Sequence, residues 1–403
     1  MKKNLFVAAL VLPLIATTAF SSEYSILVDK DWSPYAGVAI NRSLFNAYKD
    51  LDDRYLPSTE NRKNLLWSAV RLSKVGIDIA FGSFLMVNQH EIFGHGYRGR
   101  EFKINGLSYK VNFFSGSTYF NLNSFRGAHI NRMSAFVAGG LEANSILADN
   151  ISQDWFANQQ IDHRDAASYM MNRIAKINYV YITRESDLGA SNGNDVNYYI
   201  TSVNSWYKGS VAPLTLGKMR SRMLWELLDL PLYYSLYSMG NYVYNGKPNV
   251  SMFMFDINGY KYLPTPRLLW APWGTEWQVQ NNILTPDKRY IQANIRYGKN
   301  SFINSYGIDL VIKPIWAYDQ FEFGNKLNLW RQPQILVSDR ASSALKKFGA
   351  AAYLTIDYKC NKNISVFSEL GYKTSGFSQG DPLENSYVGR LGVKYNLVID
   401  RHK

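Results

Sequence analysis

The stretch Gln89-His90-Glu91-Ile92-Phe93-Gly94-His95-Gly96 sets two histidines and a glutamate within six residues, in a chain of 403 residues that has five histidines. Two imidazoles about one helical turn apart can hold a zinc ion. A glutamate beside the first can act as base on a metal-bound water. The spacing is i and i+5 rather than the familiar i and i+4. On a regular helix, five residues turn the second ring by about 140° from the first, against about 40° for four. One widened turn of the π type would bring the two rings together, and such turns gather at functional sites. Gly94, just before the second histidine, supplies the backbone freedom for it.

His90-Glu91-Ile92-Phe93-Gly94-His95 resembles the H-E-x-x-G-H signature of the dipeptidyl peptidase III type of zinc peptidases, whose histidines have the same separation. The resemblance covers this motif alone. It implies a third ligand, a glutamate on a later helix. It points to Glu142 in Ala138-Gly139-Gly140-Leu141-Glu142-Ala143-Asn144, 52 residues after His90. That family's second motif has paired acids and a further acid four residues on, and here Leu141 and Ile146 occupy those places. The set so implied is zinc on His90, His95 and Glu142, with Glu91 as general base and a peptide or protein as substrate. For the oxyanion of such a reaction, the histidines left to consider are His129 and His163.

These residues need helices to carry them. An apolar stripe through Leu65, Ala69, Leu72, Ile79 and Met86 predicts a long helix from about residue 61, with His90 continuing its face. Asp78 interrupts the stripe. A second helix is expected over 133–150. Its Gly139-Gly140 pair, unfavourable in a helix by about 1 kcal/mol per glycine, calls for the close approach of another backbone. If that neighbour is the His90 helix, Glu142 reaches the metal, and Asp149 on the same face could support it from behind. Further helices are expected over 41–51, 163–182, 193–207 and 216–244, the last broken at Pro231. Asn105-Gly106 predicts a hairpin between strands at 102–104 and 109–111, with another strand over 115–122.

Residues 1–21 read as a secretory signal, with Lys2 and Lys3, an apolar core from Leu5 to Ile15, and Ala19-Phe20-Ser21 as the cleavage site. Net charge is +12, or +10 without the two signal lysines. No long lysine-arginine run points to nucleic acid. Cys360 is the single cysteine, which excludes an internal disulfide and a cysteine zinc site.

Beyond about residue 247 the period becomes two. Ile291, Ala293, Ile295 and Tyr297 alternate with polar residues, as do Leu354, Ile356 and Tyr358, and Leu391, Val393, Tyr395 and Leu397. Roughly ten-residue alternating runs rich in aromatics are the pattern of an outer-membrane β-barrel, here with about eight strands. The expected fold is α+β. A signal over 1–21 precedes a helical, metallopeptidase-like zinc domain over 22–245, followed by an antiparallel barrel-like domain over 246–403. Two functions follow: a zinc-dependent hydrolase of the bacterial cell envelope, or a non-catalytic outer-membrane barrel, in contact with membrane lipid, whose helical part binds or plugs.

Overall fold

A computed structural model describes residues 21–56, 59–60, 62–125, 130–188, 193–206, 213–299, 304–335 and 346–398. The expected signal lies outside these residues except for Ser21, which opens a strand. The helices are α1 (Pro34–Tyr55), α2 (Leu65–His90), α3 (Gly96–Glu101), α4 (Ile130–Asn158), α5 (His163–Ile182), α6 (Asp195–Trp206), α7 (Leu216–Met223) and α8 (Leu230–Asn245). A π-helical turn, Glu91–His95, joins α2 to α3, and a 3₁₀ turn, Leu224–Leu228, joins α7 towards α8. Polar caps start several helices: Ser33 accepts from the Tyr35 N–H, Asn64 from that of Trp67, and Asp162 from that of Arg164. Pro231 sits in the first turn of α8, where its missing N–H costs nothing, and the expected 216–244 helix is interrupted just before it, over residues 224–229.

The strands are β1 (Ser21–Asp29), β2 (Ser108–Val111), β3 (Gly116–Tyr119), β4 (Gln160–Asp162), β5 (Asn249–Ser251), β6 (Phe255–Ile257), β7 (Tyr260–Ala271), β8 (Gly274–Leu284), β9 (Tyr290–Lys299), β10 (Asn304–Tyr318), β11 (Phe321–Pro333), β12 (Lys346–Lys359), β13 (Ile364–Lys373) and β14 (Ser386–Val398). The fold is α+β, with a helical N-terminal region and a large antiparallel sheet. Among the described residues that sheet has ten strands in the order β1-β14-β13-β12-β11-β10-β9-β8-β7-β6. Apart from the first strand it is a meander. The sheet thus takes β1 from the N-terminal side of the expected division at 245/246, with Tyr24 opposite Tyr395 and Ile26 opposite Val393.

The hairpin at Asn105-Gly106 is a correction. Phe102 and Ile104 are buried with Phe136 in the helical core instead of forming a strand. β2 pairs instead with β3, Tyr109 opposite Thr118, across the turn at 112–115. Burial of two large apolar side chains outweighed the local turn signal.

The sheet's two faces have opposite character. Ile295, Ile308, Leu329, Leu370, Leu391 and Val393 lie exposed on one face. The other carries buried Gln280, Asn282, Asn294, Arg296, Asn328 and Arg390. A water-soluble sheet would reverse this. The polar face looks toward α1 and α4 across a cavity lined by Arg42, Asp154, Lys326 and Lys394. At the β7 end, helix and sheet share one core that includes Leu141, Tyr199, Leu268 and Trp270.

Candidate metal centre

Two glycines allow the centre to form. A β-carbon on Gly94 would fall 2.6 Å from the carbonyl oxygen of Gly139 and from the Gly140 Cα. A β-carbon on Gly140 would collide with the His90 ring. The backbones of the π turn and α4 therefore meet where neither carries a side chain, as the Gly139-Gly140 pair requires.

The π turn realigns the two imidazoles. Their Nε2 atoms lie 3.0 Å apart, with the rings nearly perpendicular at 81°. Oδ2 of Asp195 completes a triangle, 3.1 Å from Nε2 of His90 and 3.2 Å from Nε2 of His95. Zinc bonds of about 2.0–2.1 Å in a tetrahedron separate neighbouring ligand atoms by roughly 3.3 Å, so these donors need move only a few tenths of an ångström. Nδ1 of His95 is 2.8 Å from the Phe136 carbonyl, which fixes the proton there and leaves Nε2 free to ligate. Nδ1 of His90 faces the amide of Asn144 at 3.2 Å, whose own Oδ1 is buried without a partner. Turning that amide places the orphaned oxygen on Nδ1–H and frees Nε2 of His90 as well. The donor set of two imidazoles and one carboxylate fits a zinc ion with a coordination position left for water.

Charge reinforces the geometry. Burial alone would lower the pKa of His95, but the adjacent Asp195 carboxylate and its hydrogen bond outweigh this and push it up to about 9. Burial would raise Asp195, while the His95 charge and hydrogen bonds from both histidines hold it well below the usual carboxylate range.

Glu91 is buried beside this triangle. The Thr118 hydroxyl of β3 donates to its Oε2 at 2.7 Å. The Asp195 N–H donates to the hydroxyl oxygen of Tyr179 at 2.9 Å, which brings that phenol to the centre from α5.

Glu142 is not brought to the histidines. Oε1 accepts from the Arg98 guanidinium at 2.7 Å and from the Gly380 N–H at 2.6 Å. The helix explains this. Gly140 faces His90. Two residues on, a side chain is rotated by about 200° and points away, whereas Asn144, four residues on, returns to the same face. Asp149 is likewise elsewhere, paired with Arg267 at 3.2 Å and accepting from Gln280 at 2.9 Å. His163 is buried against Tyr242, with ring centroids 3.6 Å apart, and lies 3.5 Å from Asp78, about three helical turns before His90. His129 falls outside the described residues. Asp195, Asn144 and Tyr179 are the members that sequence reasoning missed. Asp195 opens α6 behind Asn194, whose Oδ1 accepts from the Asn197 N–H. An acid in the first turn of a helix is ordinarily explained by the helix dipole, so nothing local marked it.

No protein-family model matches the chain, and no curated protein sequence matches it. Among solved structures it is similar to one described as "NanC porin structure in rhombohedral crystal form", at 15% identity and a TM-score of 0.26. That match covers 37% of this chain and 83% of the porin chain.

Proposed function

We propose that the protein is an outer-membrane β protein whose helical region carries a divalent-metal centre. The observation that carries this reading is the inverted sheet. Apolar Ile308, Leu329 and Leu370 are exposed, while Arg296, Asn328 and Arg390 are buried on the opposite face. Bilayer-spanning strands alternate in this sense, apolar toward lipid and polar toward the interior. The test is fractionation of cells expressing the full chain. Recovery in the outer membrane, resistant to salt and alkali, is expected. A soluble periplasmic protein would overturn the reading.

A second reading concerns the chemistry of the centre, and the position of Glu91 favours it. The protein would be a zinc-dependent hydrolase acting on a peptide or protein. His90, His95 and Asp195 would hold the ion, which supplies a water acidic enough to lose a proton near neutral pH. Glu91, oriented by Thr118, takes that proton and passes it to the leaving group. The Tyr179 hydroxyl, which accepts from the Asp195 N–H, would donate to developing negative charge. Incubation of the zinc-loaded protein with mixed envelope peptides, followed by mass spectrometry, tests it. Cleavage by the wild type and not by Glu91→Gln is expected. Equal cleavage by both, or none by the wild type, would refute it.

A further inference from the structure

A ten-stranded sheet with two free ends presents unpaired backbone groups, which a bilayer tolerates poorly. Here helices seal the outer edge of β1 and the stretch of β7 that the short terminal strand β6 leaves uncovered. At β1, the Ser43 hydroxyl of α1 accepts from the Ser25 N–H at 2.7 Å and donates to the Ser25 carbonyl at 2.8 Å. The Asn46 amide donates to the Glu23 carbonyl at 2.7 Å. At β7, Pro264 and Pro266 have no N–H to leave unpaired. The Leu268 N–H donates to Glu226 of the 3₁₀ turn at 2.5 Å, and its carbonyl accepts from Lys176 of α5 at 2.8 Å. Between these ends α2 packs against α1, α5 and α8. Side chains on helices thus do what a neighbouring strand would otherwise do.

The helices in that gap are inside out. All three charged side chains of α2 are buried. Arg71 donates to the carbonyls of Thr59 and Arg62, and Lys74 pairs with Asp78 and with Asp52. The opposite face exposes Leu66, Val70 and Ile77. Ser73 on that face donates to the Ala69 carbonyl, so its hydroxyl is satisfied within the helix. α8 contains no charged residue and exposes Tyr233, Leu236 and Tyr237, while Ser235 and Ser238 are buried. In the intervening turn Leu227 and Leu228 are exposed and Glu226 is buried. A helix on a water-facing surface has the reverse arrangement.

We infer that α2, the 224–228 turn and α8 form a helical section of the membrane-facing wall, with bilayer acyl chains against their outer faces. This rests on the membrane reading above. The occupant follows from continuity, because these faces continue the exposed apolar face of the sheet between the sealed edges of β1 and β7. It follows also from length. The exposed apolar residues of α2 run from Leu65 to Ile77, 13 residues, or about 20 Å at 1.5 Å per residue, which fits within a hydrocarbon core of about 30 Å. No described helix is long and apolar enough to cross a membrane by itself. α2 does not need to be, since its polar face is covered by protein. His90 then lies 13 residues beyond Ile77, roughly 20 Å further along the axis, past the exposed stripe.

Spin labels on single cysteines test this in the full chain, with the exposed Cys360 replaced by serine and the protein reconstituted in phosphatidylcholine vesicles. Ile77→Cys and Leu236→Cys report on the helices, and Ile308→Cys reports on the sheet. The native side chains are similarly exposed, at 56%, 50% and 57%. All three labels should collide with oxygen and be shielded from a water-soluble nickel chelate. Nickel access at 77 and 236 with oxygen access at 308 would overturn the helical wall and leave the sheet reading standing. Shielding from both reagents at 77 and 236, with dipolar broadening between labels, would assign the face to a second copy and also overturn it. Nickel access at 308 would overturn the membrane reading and this inference with it.

Discussion

Gly94 and Gly140 touch across the interface between the π turn and α4, so closely that a β-carbon on Gly94 would lie 2.6 Å from the Gly140 Cα. This contact holds His90 and His95 against the helix that orients them. Gly94→Ala must push backbone against backbone, and overpacking of this kind costs about 1–3 kcal/mol. A lowered midpoint in chemical unfolding is the expected result. Gly140→Ala should displace the His90 ring and weaken metal binding more than it weakens the fold.

The purified protein should bind one zinc. His90→Ala, His95→Ala and Asp195→Ala should each lose it, as read by elemental analysis after dialysis. At a hundredfold excess over its dissociation constant, zinc should stabilise the wild type by about 2.7 kcal/mol and none of these variants.

Glu142→Gln separates the two assignments of the third ligand. It should keep zinc, because Glu142 pairs with Arg98 and not with the histidines. It should still destabilise the fold, since breaking a buried ion pair costs about 3–5 kcal/mol. Loss of zinc with an intact fold would restore Glu142 as ligand.

Glu91→Gln should retain zinc and lose hydrolysis by about a hundredfold to ten-thousandfold. Thr118→Val should show a smaller loss of turnover with unchanged zinc content, because it removes the hydroxyl that orients the Glu91 carboxylate and leaves the carboxylate itself.

Arginine at an exposed position of the sheet tests its environment. Ile308→Arg should destabilise the folded protein in vesicles by about 2–4 kcal/mol if that position lies near the bilayer midplane. In water the same change at an exposed site would fall within about 0.5 kcal/mol.

Much of this was legible in the chain. The i, i+5 histidines implied a widened turn, and Glu91–His95 is a π helix. Gly139-Gly140 implied a close backbone neighbour, and Gly94 is there. Period-two runs marked the strands, and Pro231 marked the break before α8. These are local signals, set by helical rotation, missing β-carbons and side-chain alternation. The third member of the candidate ligand triangle was not legible, because it depends on which face of α4 turns toward α2. That choice sends Glu142 to Arg98, brings Asn144 to His90, and leaves the place for Asp195, 100 residues after His95 in sequence. Nor could the sequence say how the sheet ends. A serine on α1 and a glutamate after α7 read as ordinary surface residues, and only packing shows them closing the backbone of Ser25 and Leu268. The sequence determined the elements through short-range geometry. The tertiary structure decided which buried polar groups meet, because each must find a partner wherever the fold provides one.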